Sequence, residues 1–227
     1  MENPQRGFER CFELLQAADA DGLRQLLEQD PSAAEVRDTA GVSLLMHSLY
    51  RGRRDLAELI ASKKKALDIF EAAALGRLDR LKECIRDAAA LDSRSLDSRS
   101  KDGFTALHFA CFFAQPEAAR LLLENGAAAD AIAANPTQVM PLHSAASARN
   151  LEAVRLLLEH GAPSIVNARQ QRGWVPIHAA AQNGDRPMVE LLLQHGADPK
   201  LANDEGETPA MVAREKGHEE IAALLEK

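Results

Sequence analysis

A six-residue phrase recurs four times in this chain, as Gly103-Phe-Thr-Ala-Leu-His108, Gln138-Val-Met-Pro-Leu-His143, Gly173-Trp-Val-Pro-Ile-His178 and Gly206-Glu-Thr-Pro-Ala-Met211. The starts lie 35, 35 and 33 residues apart. Coupled to the first three is a second phrase, Leu121-Leu-Leu-Glu-Asn-Gly-Ala127, Leu156-Leu-Leu-Glu-His-Gly-Ala162 and Leu191-Leu-Leu-Gln-His-Gly-Ala197. Two coupled phrases at one period mean that the chain is assembled from repeated supersecondary units. A unit this short cannot bury its own apolar face, so each stacks on the next and the core runs along the array.

The residues inside the period favour helices. Of 227 residues, 41 are Ala and 31 are Leu, both strong helix formers. Aromatics make up only 4%, and strand-like β-branched runs are scarce, which argues against a sandwich or barrel. Thr208-Pro209 puts an N-cap residue before a proline at the first helical position, and Pro141 and Pro176 keep that proline. The small pairs Ala145-Ala146 and Ala179-Ala180 let two short helices approach closely. A second helix then runs through each Leu triplet to Gly126, Gly161 or Gly196, a residue suited to a left-handed C-cap.

This pattern resembles the ankyrin repeat, a unit of about 33 residues carrying a T-P-L-H-x-A phrase and built from a β-turn finger and two helices. The N-terminal half matches more loosely, through Gly41-Val-Ser-Leu-Leu-Met46 with Gly52 and Leu59-Ile60, through residues 67–85 with Gly76, and through a degenerate stretch from Gly7 to Leu27. The resemblance implies an all-α ankyrin-repeat solenoid of about seven helix-turn-helix units, elongated around one continuous core. The whole chain, 1–227, is then a single domain: a degenerate opening repeat at 1–38, repeats at 39–62, 63–100, 101–135, 136–170 and 171–203, and a polar C-terminal capping repeat at 204–227.

Departures from the period are informative. Gly52 and Gly76 are only 24 residues apart, so the finger where Lys63-Lys-Lys65 stands is expected to be missing. Residues 91–100 read Leu-Asp-Ser-Arg-Ser twice, and removing one copy shortens the interval from Gly76 to Ala114 from 38 to 33. The duplicate is therefore an insertion in a connecting loop. Two further residues are extra near Ala131 to Gln138 and two near Pro163 to Val166, changes that a solenoid absorbs in its loops.

Several function classes are disfavoured. A net charge of −7 opposes general binding to nucleic acid or anionic membrane. Cys11, Cys84 and Cys111 are odd in number and lack CxxC spacing, which reads as a reducing, cytoplasmic setting without a disulfide framework. Residues 1–15 hold no signal-peptide core, and the uncharged stretch Ala131 to Ala148 is broken by Asn135, Pro136, Gln138, Pro141 and His143, so no segment spans a bilayer.

His108, His143 and His178 share one repeat slot, which holds Met46, Phe70 and Met211 elsewhere and is therefore chiefly a packing position. Helix spacings of roughly 8–10 Å keep these three from sharing a metal ion that needs ligands at about 2 Å. His160 and His195 sit before a C-cap glycine, where they meet helix carbonyls. There is no GxSxG, phosphate-cradling loop, HExxH or EF-hand, and Cys111 occupies an Ala slot. Neither catalytic residues nor a cofactor are expected, and a thiol or metal-dependent hydrolase ranks last among the functions weighed.

The resemblance implies a monomeric, non-enzymatic module that binds a partner protein, as adaptor or inhibitor, through finger tips and the concave first-helix positions before the inter-helix turn. Those positions read Gln16-Ala17, Tyr50-Arg51, Ala74-Leu75, Phe112-Phe113, Ser147-Ala148, Gln182-Asn183 and Glu215-Lys216. Phe104 and Trp174 follow the finger glycine, and Phe104, Phe109, Phe112 and Phe113 account for four of the nine aromatics. The expected site is Tyr50, Arg51, Leu75, Phe104, Phe112, Phe113, Ser147, Trp174, Gln182 and Asn183, with the aromatics as anchors. The alternative is a nucleic-acid or acidic ligand on the run from Arg51 to Lys65, which holds six positive and two negative residues.

Overall fold

Prolines and short capping side chains set where the helices begin, and the computed structural model, which describes residues 4–91, 96–161 and 164–227, has fourteen of them and no strand among those residues. Contacts divide the chain into two compact units, Met1–Glu71 and Ala72–Lys227. The first holds α1 (Pro4–Gln16), α2 (Ala20–Gln29), α3 (Leu44–Tyr50) and α4 (Arg54–Lys63). Here α1 packs on α3 and α2 on α4, with a buried seam of Leu15, Leu23, Leu27, Leu45, Leu56 and Ile60. Ser43 caps α3, its hydroxyl accepting from the Met46 N–H at 3.3 Å. Helix α5 (Ile69–Leu75) straddles the division.

The second unit continues through α6 (Leu78–Leu91), α7 (Ala106–Phe112), α8 (Pro116–Glu124), α9 (Pro141–Ser147), α10 (Leu151–Gly161), α11 (Pro176–Gln182), α12 (Arg186–Gln194), α13 (Pro209–Glu215) and α14 (Glu219–Leu225). First helices form one row, α7 on α9 on α11 on α13, and second helices another, α6 on α8 on α10 on α12. Helices α9, α11 and α13 start on the prolines of the repeated phrase. Between the rows lie Leu107, Leu122, Leu142, Leu157, Ile177 and Leu192, all 1% exposed or less.

Fingers close on themselves by one recurring pair of backbone bonds. Ser100 N–H donates to Phe104 O (2.8 Å) and Gly103 N–H to Ser100 O (3.0 Å), and Gln170 and Gly173 repeat the pattern with Trp174 O (2.8 Å) and Gln170 O (3.0 Å). Successive fingers are then joined by Ala134 N–H to Gly103 O (2.8 Å), Gln171 N–H to Thr137 O (2.9 Å) and Asp204 N–H to Arg172 O (3.0 Å).

The finger expected to be missing is absent: residues 64–68, five in number, are the whole link between α4 and α5, where fourteen separate α12 from α13. Side chains replace the turn there. The Glu71 carboxylate accepts from the Asp68 N–H (3.2 Å) and the Asp68 carboxylate from the Glu71 N–H (2.9 Å), a reciprocal cap on α5. Part of the duplicated Leu-Asp-Ser-Arg-Ser run, residues 92–95, lies outside the described residues, as do 162 and 163 beside the two extra residues near Pro163 to Val166.

Gly126 and Gly196 take the left-handed conformation at the ends of α8 and α12, each with φ 88°. Gly161 does not, because α10 runs through it. Its glycine serves close approach, since a Cβ there would meet Ile165 Cδ1 at 2.9 Å and Ala129 Cβ at 3.0 Å.

The inter-helix turn shows what a left-handed residue costs. Gly52, Gly76, Gly184 and Gly217 hold it with φ between 64° and 80°, while Ala114 is forced to φ 54° at the same place. Ala114→Gly is accordingly expected to raise stability by about 0.5–1 kcal/mol, read as a higher urea midpoint with an unchanged slope.

Candidate functional site

The three slot histidines carry more than packing. In each repeat a backbone N–H of the N-cap residue donates to Nδ1: Thr105 to His108 (3.3 Å), Met140 to His143 (3.1 Å) and Val175 to His178 (3.2 Å). That leaves the proton on Nε2, which donates to a carbonyl ahead in the chain: Val139 at 3.0 Å, Ala168 at 2.9 Å and Glu207 at 3.1 Å respectively. Both ring nitrogens are thus committed, one to a helix cap and one to the stacking of repeats. Burial holds all three pKa values below the usual range, with His108 and His143 brought down to about 4. A neutral imidazole bonded at both nitrogens is neither a proton shuttle nor a ready metal ligand.

The cysteine nearest to an imidazole in sequence is equally inert. Cys111 is fully buried, and burial pushes its thiol well above the ordinary range. His160 behaves as a helix C-terminal residue, its Nδ1 2.8 Å from the Leu156 carbonyl.

Much of the charge in the basic run is already paired, and one of its lysines is buried. Arg53 forks onto Asp55 at 2.9 and 2.8 Å, and Arg54 lies 3.7 Å from Glu58. The Lys64 side chain is 1% exposed and its Nζ sits 3.0 Å from Glu35 and 3.4 Å from Glu71. Arg51 reaches back along its own helix to the His47 carbonyl at 3.2 Å.

Within the second unit, the first-helix row brings Phe112, Ser147 and Gln182 out on successive packed helices, all three exposed. Phe112 is 48% exposed, and Phe113 meets it edge-to-face at 5.1 Å between ring centroids. Behind them Phe113 stacks on Phe109 at 6.4 Å, and Phe109 meets Phe104 at 5.6 Å. Phe109 is core, while Phe104 and Phe113 are half-buried, so the cluster grades from interior to surface. The Asn183 amide donates to the Ala146 carbonyl across to α9 (3.4 Å). Half-buried Trp174 stands 5.3 Å from His178, whose rigid ring fixes the base of the finger.

Two groups of the expected residues are placed differently. Tyr50, the last residue of α3, and Arg51, its C-cap, are exposed in the first unit. Leu75 is 3% exposed and offers no surface. Ala74, in the slot that Phe112, Ser147 and Gln182 hold on their helices, is 0% exposed as well. Helix α5 therefore presents no exposed side chain at the positions where α7, α9 and α11 each present one.

A cavity of about 350 Å³ opens beside Trp174, lined by Thr137, Val139, Ser147, Gln170, Gln171, Arg172, Trp174, Ala179 and Gln182. It unites three of the expected residues, Ser147, Trp174 and Gln182. The sequence reading missed Thr137, Gln170 and Gln171, for which the only signal was a polar stretch just before the finger glycine slot. A larger recess of about 560 Å³ lies against the second-helix row, but Asp79, Lys82, Glu83 and Arg86 make its rim charged in both signs.

No helix among the described residues is long and apolar enough to cross a membrane. Residues 69–168 and 162–227 match the family model described as ankyrin repeats (3 copies). No curated protein matches the chain.

Proposed function

This chain belongs to the ankyrin-repeat family, and from that premise we propose that it is a non-enzymatic adaptor or inhibitor that grips a partner protein across the first-helix face of residues 72–227. Ankyrin repeats are generally protein-protein interaction modules. The observation that carries the reading here is Phe112: a phenylalanine 48% exposed, at one end of a row that continues through Ser147 and Gln182. An aromatic ring left in water on a rigid helix gains most from being covered, and such residues dominate contact energies. Trp174 supplies a second anchor on the finger side of the same row. The alternative, an acidic ligand on Arg51 to Lys65, has less support because Arg53, Arg54 and Lys64 already face carboxylates.

Affinity capture with the wild-type chain and with Phe112→Ala, compared by mass spectrometry, tests the proposal. Proteins retained by the wild type are expected to bind Phe112→Ala more weakly by roughly 1–4 kcal/mol. Chemical unfolding of the variant is expected to show a loss below about 1 kcal/mol, because half of the ring is already in water. A loss of the ~3–5 kcal/mol typical of a core Phe, with capture unchanged, assigns Phe112 to the core and sinks the reading.

A further inference from the structure

The cavity at Trp174 is walled by uncharged side chains with one exception, Arg172, and the Arg172 guanidinium is held by Glu205 of the following finger. Its neighbour Arg169 is likewise occupied, donating to the carbonyls of Gly173 (3.3 Å) and Ala202 (2.9 Å) and lying 3.6 Å from Asp204. The ionised groups at these finger tips neutralise one another. A charged group entering the cavity would lose hydration and find no opposite charge in return.

Hydrogen-bonding capacity is present in neutral form. The side chains of Ser147, Gln170, Gln171 and Gln182 have no hydrogen-bond partner among the described residues, and neither has the Trp174 indole N–H. Each glutamine amide offers two donors and an acceptor. An extended peptide presents one N–H and one C=O per residue and no charge, which is the complement of such a wall. The indole supplies an apolar face, and pockets of about 300 Å³ and upward are large enough to hold a compact ligand group.

The cavity is also rigid. Its finger is bonded on both sides, through Gln171 N–H to Thr137 O (2.9 Å) and Asp204 N–H to Arg172 O (3.0 Å). Arg172 and Gly173 both adopt positive φ, 64° and 72°, which turns the tip sharply just before Trp174. Preorganised walls keep the ordering cost of binding low.

We infer that this cavity takes an uncharged, extended segment of the partner protein, with one apolar side chain on the Trp174 indole and main-chain amides bonded to Gln170, Gln171 and Gln182. This rests on the proposed use of the first-helix face and adds the chemistry of what that face binds.

A random dodecapeptide library displayed on phage and panned on the full chain tests it. The expected consensus is free of charge over its core, with a proline, aliphatic or aromatic residue at one fixed position. A synthetic peptide of that consensus should bind in calorimetry with little dependence on added salt. Trp174→Ala and Gln182→Ala should each weaken it at least about tenfold. Gln182 is exposed, so its variant keeps the test valid should Trp174→Ala fold poorly. An acidic or basic consensus, the absence of enrichment, or peptides indifferent to both substitutions overturns the inference, as does binding of neutral glycans in place of peptides. Peptides lost with Phe112→Ala but indifferent to Trp174→Ala and Gln182→Ala overturn it while sparing the broader reading of the face. Peptides indifferent to all three overturn both.

Discussion

Acidification from pH 7 to pH 4 is expected to remove roughly 6 kcal/mol of folding stability through two imidazoles alone. His108 and His143 have pKa values brought down from 6.5 to about 4, first by burial. Each shift of about 2.5 units corresponds to roughly 3 kcal/mol. The sign follows from proton counting. Between pH 6.5 and 4 the unfolded chain binds protons at these sites and the folded chain does not, so falling pH favours unfolding. The contribution is fully present above about pH 6.5 and is lost as pH falls through about 4. Protonation at Nδ1 would also evict the N–H bonds from Thr105 and Met140 that cap α7 and α9. Urea midpoints measured at steps from pH 8 to pH 4 should therefore fall steeply within that window. His143→Met, a residue that the same slot accepts at Met46 with 5% exposure, should be less stable at pH 8 but decline less steeply. A variant that falls as steeply as the wild type would show that other groups drive the acid transition.

The array was legible because repetition turns one ambiguous segment into several aligned ones. Proline and glycine positions located the helix pairs, and the 24-residue interval from Gly52 to Gly76 located the absent finger. What resisted reading depended on neighbours that a slot alignment treats as equal. Leu75 shares its slot with Phe113 and Asn183, yet it is 3% exposed where they are half-buried. The slot histidines look like packing residues, since Met and Phe substitute for them. Their Nε2–H groups find their acceptors 25 to 31 residues further along, where no local pattern could reveal them. The cavity at Trp174 was half legible: Ser147, Trp174 and Gln182 fell in slots, while Gln170 and Gln171 belong to a finger whose charge neutrality depends on Glu205 and Asp204 of the next one.

Lys64→Met is expected to cost about 3–5 kcal/mol at neutral pH, although a lysine in a run of three would ordinarily lie in water. In the fold its side chain and that of Glu71 are each 1% exposed and 3.4 Å apart. Glu71 Oε1 accepts no hydrogen bond among the described residues, and the Lys64 ammonium is the cation that stands against it. Burial raises the Glu71 pKa, with the Asp68 carboxylate adding to the effect, despite the nearby Lys64. Desolvation therefore outweighs pairing. This pair is costly to keep and costlier to break, because removing the cation leaves a buried anion. Glu71→Gln deletes that anion and leaves Lys64 with Glu35 at 3.0 Å, so it should cost no more than about 1 kcal/mol. In the double variant, Glu71→Gln should recover at least half of the Lys64→Met loss. The pH dependence supplies a second check. A carboxyl whose folded pKa is raised binds its proton more tightly when folded, so its penalty eases as pH falls, and the loss from Lys64→Met should shrink between pH 8 and pH 5. A loss below about 1 kcal/mol, or one that does not change with pH, would place Lys64 among ordinary surface charges and leave the finger-less link held by its backbone caps alone.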